Sequence, residues 1–263
     1  MPDNMFKRLW FARAIFMRSV SSDIRAQYAG TVFGLAWVWL GPAVLLSLYA
    51  VIYIVIFQVR VPNFTVQEYV LNVFSGLAPF LAFAQGLSVS TQALSRSQGL
   101  LFNSSFPDEY IPAKAVVVAY VVLPAGLVLT FVGDVAVSSI SWTWLLVPVV
   151  VVLQILFSIG VAFFVSLISL IFRDMQLLVQ YIMIALLVVT PIAYTPDMIP
   201  AQLLPLLYVN PLFYFVYFYQ HLILLNQLPP LEIIIAAVVS SVVTFSLGLL
   251  FFSRTRRALS DLI

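Results

Sequence analysis

The sequence predicts an all-α integral membrane protein with six transmembrane helices, an N-terminal amphipathic interfacial helix, and re-entrant outer-face helices between spans 5 and 6. Three observations carry that expectation. Of 263 residues, 63% are hydrophobic and only 8% charged, against about 25% charged in a soluble domain. So few charges cannot cover a water-facing surface, and the solvent must be largely lipid. The charges also punctuate the chain into long uncharged runs. Finally, the basic residues gather on alternate connections between those runs, as the positive-inside rule requires.

Composition excludes other classes. The net charge is +2, and the twelve Lys and Arg flank apolar runs rather than forming a stripe, which argues against nucleic-acid binding. With no cysteine there is no disulfide, thiolate metal site or catalytic thiol. His221 is the single histidine, so a histidine metal cluster is impossible, and an interfacial role is expected for it.

Lys7, Arg8 and Arg13 precede apolar sequence as in a signal peptide, but no small-residue cleavage pattern follows, so the segment is expected to be retained. At about 100° per residue, Met5, Leu9, Ala12, Phe16 and Val20 share a face opposite Lys7, Arg18 and Arg25. This predicts an interfacial helix over 5–25, with Arg13 snorkelling from the edge of the apolar face.

Uncharged runs at 26–59, 69–95, 115–133, 135–172, 175–196, 198–231 and 233–253 reach or approach the length of a membrane span, about 20 residues. The sixth holds Pro200, Pro205, Pro211, Pro229 and Pro230, a density that no continuous helix tolerates. Six spans remain, near 33–58, 69–95, 112–133, 142–172, 175–195 and 231–253. An even number places both termini on one side. With the termini in the cytoplasm, Lys7, Arg8, Arg13, Arg18, Arg25, Arg96, Lys114, Arg173, Arg254, Arg256 and Arg257 lie inside and only Arg60 outside. Residues 196–230 then fall on the outer face, and 96–114 is the largest internal cytoplasmic segment.

Asp134 and Asp197 at outer ends, Arg173 and Asp174 at an inner end, and Glu232 at the start of the last span read as solvated loop or headgroup charges, leaving no mid-membrane ion relay. Lys7 and Lys114 have no glycine-rich loop before them, so ATP binding by a P-loop is excluded. Energy for active transport must then come from a separate subunit. Its natural docking place is RSQGLLFNSSFPDEYIPAK, where a helix cap is expected at Ser104 or Ser105 and where Phe102, Phe106 and Tyr110 are expected to be exposed. A membrane enzyme acting on lipid-linked sugars is disfavoured, because Asp108 and Glu109 form the sole adjacent acidic pair and neighbouring helical side chains diverge.

Several motifs occur in a telling order. DIRAQYAGTVFGLAWVWLGP, with Asp23, Tyr28, Gly34, Trp37 and Pro42, leads into the first span. FSGLAPF supplies Ser75, Gly76 and Pro79, and FPDEYIP supplies Phe106, Pro107, Glu109 and Pro112. RDMQLL through TPIAY carries Arg173, Asp174, Thr190, Pro191 and Tyr194, and YVNPL adds Asn210 and Pro211. In these the chain resembles the membrane subunits of type 2 ABC exporters that move polysaccharides, such as O-antigen, capsule and teichoic-acid export permeases. It departs from them at Asn103, Ser104, Ser105 and Asp108, where similar permeases commonly have basic residues.

The resemblance implies a non-catalytic permease in the bacterial inner membrane, working as two copies with two cytoplasmic subunits that bind ATP and Mg. The implied cargo is a lipid-linked polysaccharide. No cofactor or metal is assigned to this chain, membrane lipid surrounds it, and no nucleic acid is a partner. Phe106, Pro107, Asp108, Glu109, Tyr110 and Pro112 would couple to the ATPase subunit, while Asp23, Arg25, Arg173 and Asp174 would be structural at the inner end. Pro191 disfavours straight continuation of the fifth span, so the chain is expected to fold back as short helices packed on protein. That makes 196–230 an expected outer gate, with Pro191, Tyr194, Asn210, Pro211 and Tyr214 at the gate or substrate path. Tyr208, Phe213, Tyr217 and Tyr219 read chiefly as an interfacial aromatic belt. A drug or small-lipid exporter of the same superfamily is the alternative.

Overall fold

A computed structural model describes residues 5–56, 65–97, 107–137, 141–172, 174–194, 199–200, 202 and 204–260; side chains are described from Arg13, without Ala14 and Tyr53, to Thr255. Among these residues every regular element is helical.

Helix α1, Met5–Tyr28, runs outside the bundle. Phe16 is half-buried and Val20 buried, while Arg13, Arg18 and Arg25 are exposed. The chain turns out of α1 through Gly30 and Gly34, at φ 78° and 51°, a region in which side chains other than Gly and Asn are strained. The first span, Gly34–Ile56, comprises a 3-10 turn at Gly34–Ala36, helix α2 at Trp37–Ala50 and a π-helical stretch at Val51–Ile56.

Helix α3, Val66–Ser90, is the hub, packing against α2 and most of the helices that follow. It starts before the expected 69 because Glu68 is not a flanking charge. The Thr65 amide donates to Glu68 Oε2 at 2.7 Å, and the Glu68 amide donates to Thr65 Oγ1 at 3.3 Å, a capping box that puts the carboxylate inside the first turn. A short helix α4, Ala93–Arg96, follows.

The next span is α5, Tyr110–Ala119, continuing through a 3-10 turn at Tyr120–Val122 into α6, Leu123–Val137. Pro124 cannot donate to the Tyr120 carbonyl, and the Leu123 amide does so instead, which tightens the helix at that point. A 3-10 turn at Trp142–Leu146 leads into α7, Val147–Ile171. Helix α8, Met175–Val189, has only 15 residues, about 22 Å of rise, and stops short of the expected 195. Thr190 is extended ahead of Pro191 (ψ 131°), as a residue before proline prefers. Two short helices follow, α9 at Leu204–Val209 and α10 at Pro211–Ile223.

The last helix, α11 at Leu231–Ser260, carries its apolar span onward through Arg254, Arg256 and Arg257. Its contact with α7 is the most extensive among the described residues. There Gly160 faces Gly248: a Cβ on Gly160 would stand 2.6 Å from the Phe245 amide nitrogen, and one on Gly248 would meet the Gly160 carbonyl. Small residues that let helix backbones touch drive association in lipid, where apolar side chains alone do not. Among the described residues five helical runs are long and apolar enough to cross a membrane, and α8 is a shorter sixth. The expected all-α, multi-pass membrane architecture is thus what the chain adopts.

Candidate functional site at the two ends of the bundle

At the end that holds α1, one basic residue joins two elements. Lys114 Nζ, on α5, lies 2.8 Å from Asp23 Oδ2 and donates to Ser19 Oγ at 3.2 Å, both on α1. The Phe16 and Tyr110 rings meet with centroids 5.1 Å apart. Ahead of α5, the Tyr110 and Ile111 amides donate to the Pro107 and Asp108 carbonyls, each at 3.0 Å. Pro107, Asp108 and Glu109 thus form a half-buried turn. Tyr110 corrects an expectation: it is 7% exposed, not open to a partner, because its ring is the anvil on which α1 rests. Pro112 is buried beside it. Arg25 occupies the last turn of α1 and Asp174 precedes the first turn of α8, each placed favourably for the helix dipole. Gln92 donates to Gln176, tying the start of α8 to the turn between α3 and α4. Phe102, Ser104, Ser105, Phe106 and Arg173 lie outside the described residues.

At the other end the break after α8 is held by side chains. Tyr194 donates to the carbonyls of Val189 (2.6 Å) and Val188 (3.1 Å). Gln220 Nε2, on α10, lies 3.3 Å from the carbonyls of both Pro191 and Ile192, and Tyr69 of α3 donates to Ala193 at 2.6 Å. Asn210 accepts from the Leu212 amide at 3.0 Å, capping α10, while its Nδ2 donates to Thr190 Oγ1 at 2.8 Å. Irregular backbone at membrane depth survives only when its polar groups find such partners. Pro191, Tyr194, Asn210 and Pro211 are therefore one constellation. Tyr214 stands beside it, donating to the Tyr208 carbonyl at 2.7 Å.

Sequence reasoning missed Tyr69 and Gln220, though each is a polar group on an otherwise apolar helix, and that was the available signal. Two further readings are corrected. Asp134 is 1% exposed rather than solvated, because Trp144 Nε1 donates to its Oδ2 at 3.0 Å. His221 is buried in α10 with Nδ1 2.9 Å from the Tyr217 carbonyl, and burial pushes the imidazole below its ordinary value.

The expected gate segment divides in two. Helix α10 packs inside the chain's own bundle, against α3, α7 and α11, whereas Leu206, Tyr208 and Val209 of α9 are exposed.

No family model matches the chain. Curated relatives do. The O-antigen export system permease protein RfbA of Myxococcus xanthus is 26% identical over 254 residues, 95% of this chain and 96% of the relative. One of the same name from Klebsiella pneumoniae is 24% identical over 247 residues, 92% of each chain. A further Klebsiella pneumoniae RfbA is 27% identical over 196 residues, 73% of each. The resemblance read from the motifs thus extends over nearly the whole chain: it is similar to permeases named for O-antigen export.

Proposed function

We propose that this chain is the membrane-spanning permease subunit of an ATP-driven exporter that moves lipid-linked polysaccharide, an O-antigen-like or related cell-surface glycan, across the bacterial inner membrane. The observation that carries the reading is near-complete coverage by permeases named for O-antigen export, in a chain that folds as apolar helices. Both termini, α1 and the turn before α5 face the cytoplasm, as the eleven-to-one basic asymmetry supports. Two copies enclose the path, and two separate subunits bind ATP and Mg beneath them.

In this reading the Pro107–Glu109 turn meets the ATPase subunit. Force applied there reaches α1 and α5 together, because Lys114 and the Phe16–Tyr110 contact lock them, and a packed unit moves as a rigid body. At the outer end α10 anchors the short helices and α9 is the part that a second copy meets. The chain supplies path and coupling, not catalysis.

Deleting the gene in its native host should abolish the surface glycan and leave lipid-linked glycan on the cytoplasmic face of the inner membrane, with restoration by the intact gene. Normal surface glycan with new sensitivity to drugs would contradict the reading and favour the small-molecule exporter.

A further inference from the structure

Between α1 and the bundle lies a cleft of about 350 Å³, walled by α1, α5, α7 and α11. Leu156, Ile159 and Phe163 stand on successive turns of α7 and line it, giving it a length of about 10 Å along the span. Ala113 of α5 and Leu249 of α11 close its sides. The two charged residues of the lining are Arg13 of α1 and Glu109. Phe163 shares an apolar cluster with Ile111, two residues beyond Glu109, so the charges stand at the surface end and Leu156 at the deep end.

Water in the deep end would find no polar partners, and three of the four walls are membrane spans, so the filling medium is hydrocarbon. We propose that the cleft seats one acyl chain of a phosphatidylethanolamine from the surrounding bilayer, with its phosphate on Arg13 and its ammonium on Glu109. A guanidinium offers five donors, so Arg13 takes a phosphate oxygen alongside the interactions it already makes within the protein. One cation and one carboxylate over an apolar slot complement a zwitterionic headgroup. A polyprenyl diphosphate would bring two phosphates toward Glu109 with no second cation in the lining. The seated lipid wedges α1 against α5, so the position of this surface helix follows the lipid composition. The proposal stands on the membrane fold and is independent of cargo and sidedness.

The test is native mass spectrometry of the full chain, purified in mild detergent from membranes rich in phosphatidylethanolamine. One such lipid should stay bound. Ala113→Phe fills the slot and should lower the bound fraction roughly tenfold, a factor that about two displaced methylene groups already supply. Val128→Phe, on an exposed position of α6, should leave it unchanged. Arg13→Gln should weaken retention, and Glu109→Gln should reduce the preference for phosphatidylethanolamine over phosphatidylglycerol. Leu156→Phe is the second filling variant, and the one with the wild-type melting temperature is scored. A wild-type chain that holds no lipid, a filled variant that keeps it, or a polyprenyl diphosphate in its place would overturn the proposal.

Discussion

Helices α8 and α10 flank the same break, are of similar length and are both dominated by apolar side chains, yet they meet opposite surroundings. Ten of the thirteen residues of α10 are buried, against Val179 alone among the fifteen of α8. In water that contrast would mark one of them as misplaced. In lipid it does not, because hydrocarbon is as good a solvent for Leu as another helix is. What separates the two is where their polar side chains go. Gln220 turns inward to the carbonyls of the broken backbone and the cap Asn210 to the Thr190 hydroxyl, whereas Gln180 and Tyr181 of α8 point outward. An outward glutamine on a transmembrane helix suits a partner or a watery path better than lipid. α10 is accordingly the anchor of its end of the bundle, and α8 is a face that the single chain leaves open.

That contrast can be broken at several points. The largest effect is expected where buried backbones touch. Gly160→Leu has no space against Phe245 and Thr244 and should abolish folded protein in size-exclusion chromatography, while Leu178→Ala on the exposed side of α8 should leave the monomer's melting temperature unchanged. Next comes the anchor itself: Gln220→Leu orphans the Pro191 and Ile192 carbonyls and should cost about 2 kcal/mol, measured as lost thermal stability in detergent. A smaller effect belongs to the ion pair at the opposite end. Asp23 is 45% exposed, so a double-mutant cycle of Asp23→Asn with Lys114→Met should give a coupling of only about 0.5 to 1 kcal/mol. Export should fall further than stability does if the pair transmits motion. The smallest effect is expected at Tyr219, whose buried hydroxyl has no hydrogen-bond partner among the described residues. Tyr219→Phe should be neutral or slightly stabilising, whereas Tyr120→Phe, which loses a 2.6 Å bond to Ser158, should destabilise by about 1 kcal/mol.

The same contrast explains what was legible in the sequence. Membrane class and helix placement followed from runs without charge, since lipid imposes that requirement on each span separately. Charge punctuation failed where a charged side chain serves its own helix or its neighbour. Glu68 caps α3 from within, and Asp134 is buried under Trp144. Apolarity also misplaced Tyr110, since a ring at a helix start looks equally ready for a partner protein or for α1. Thr190, Pro191, Tyr194, Asn210 and Pro211 were each noticed, but their meeting through Gln220 and Tyr69 depends on how α3, α8 and α10 pack. Composition carries no trace of that packing.

The central claim, that this chain forms the path for a lipid-linked glycan, is tested most directly in proteoliposomes that contain the permease with its ATP-binding subunit. Lipid-linked glycan should move to the leaflet opposite the ATPase, become accessible to an externally added glycosidase on addition of ATP and Mg, and stop moving when the permease is omitted. Glycan that reaches that leaflet equally fast without the permease, or stays inaccessible with the complete complex hydrolysing ATP, would contradict it.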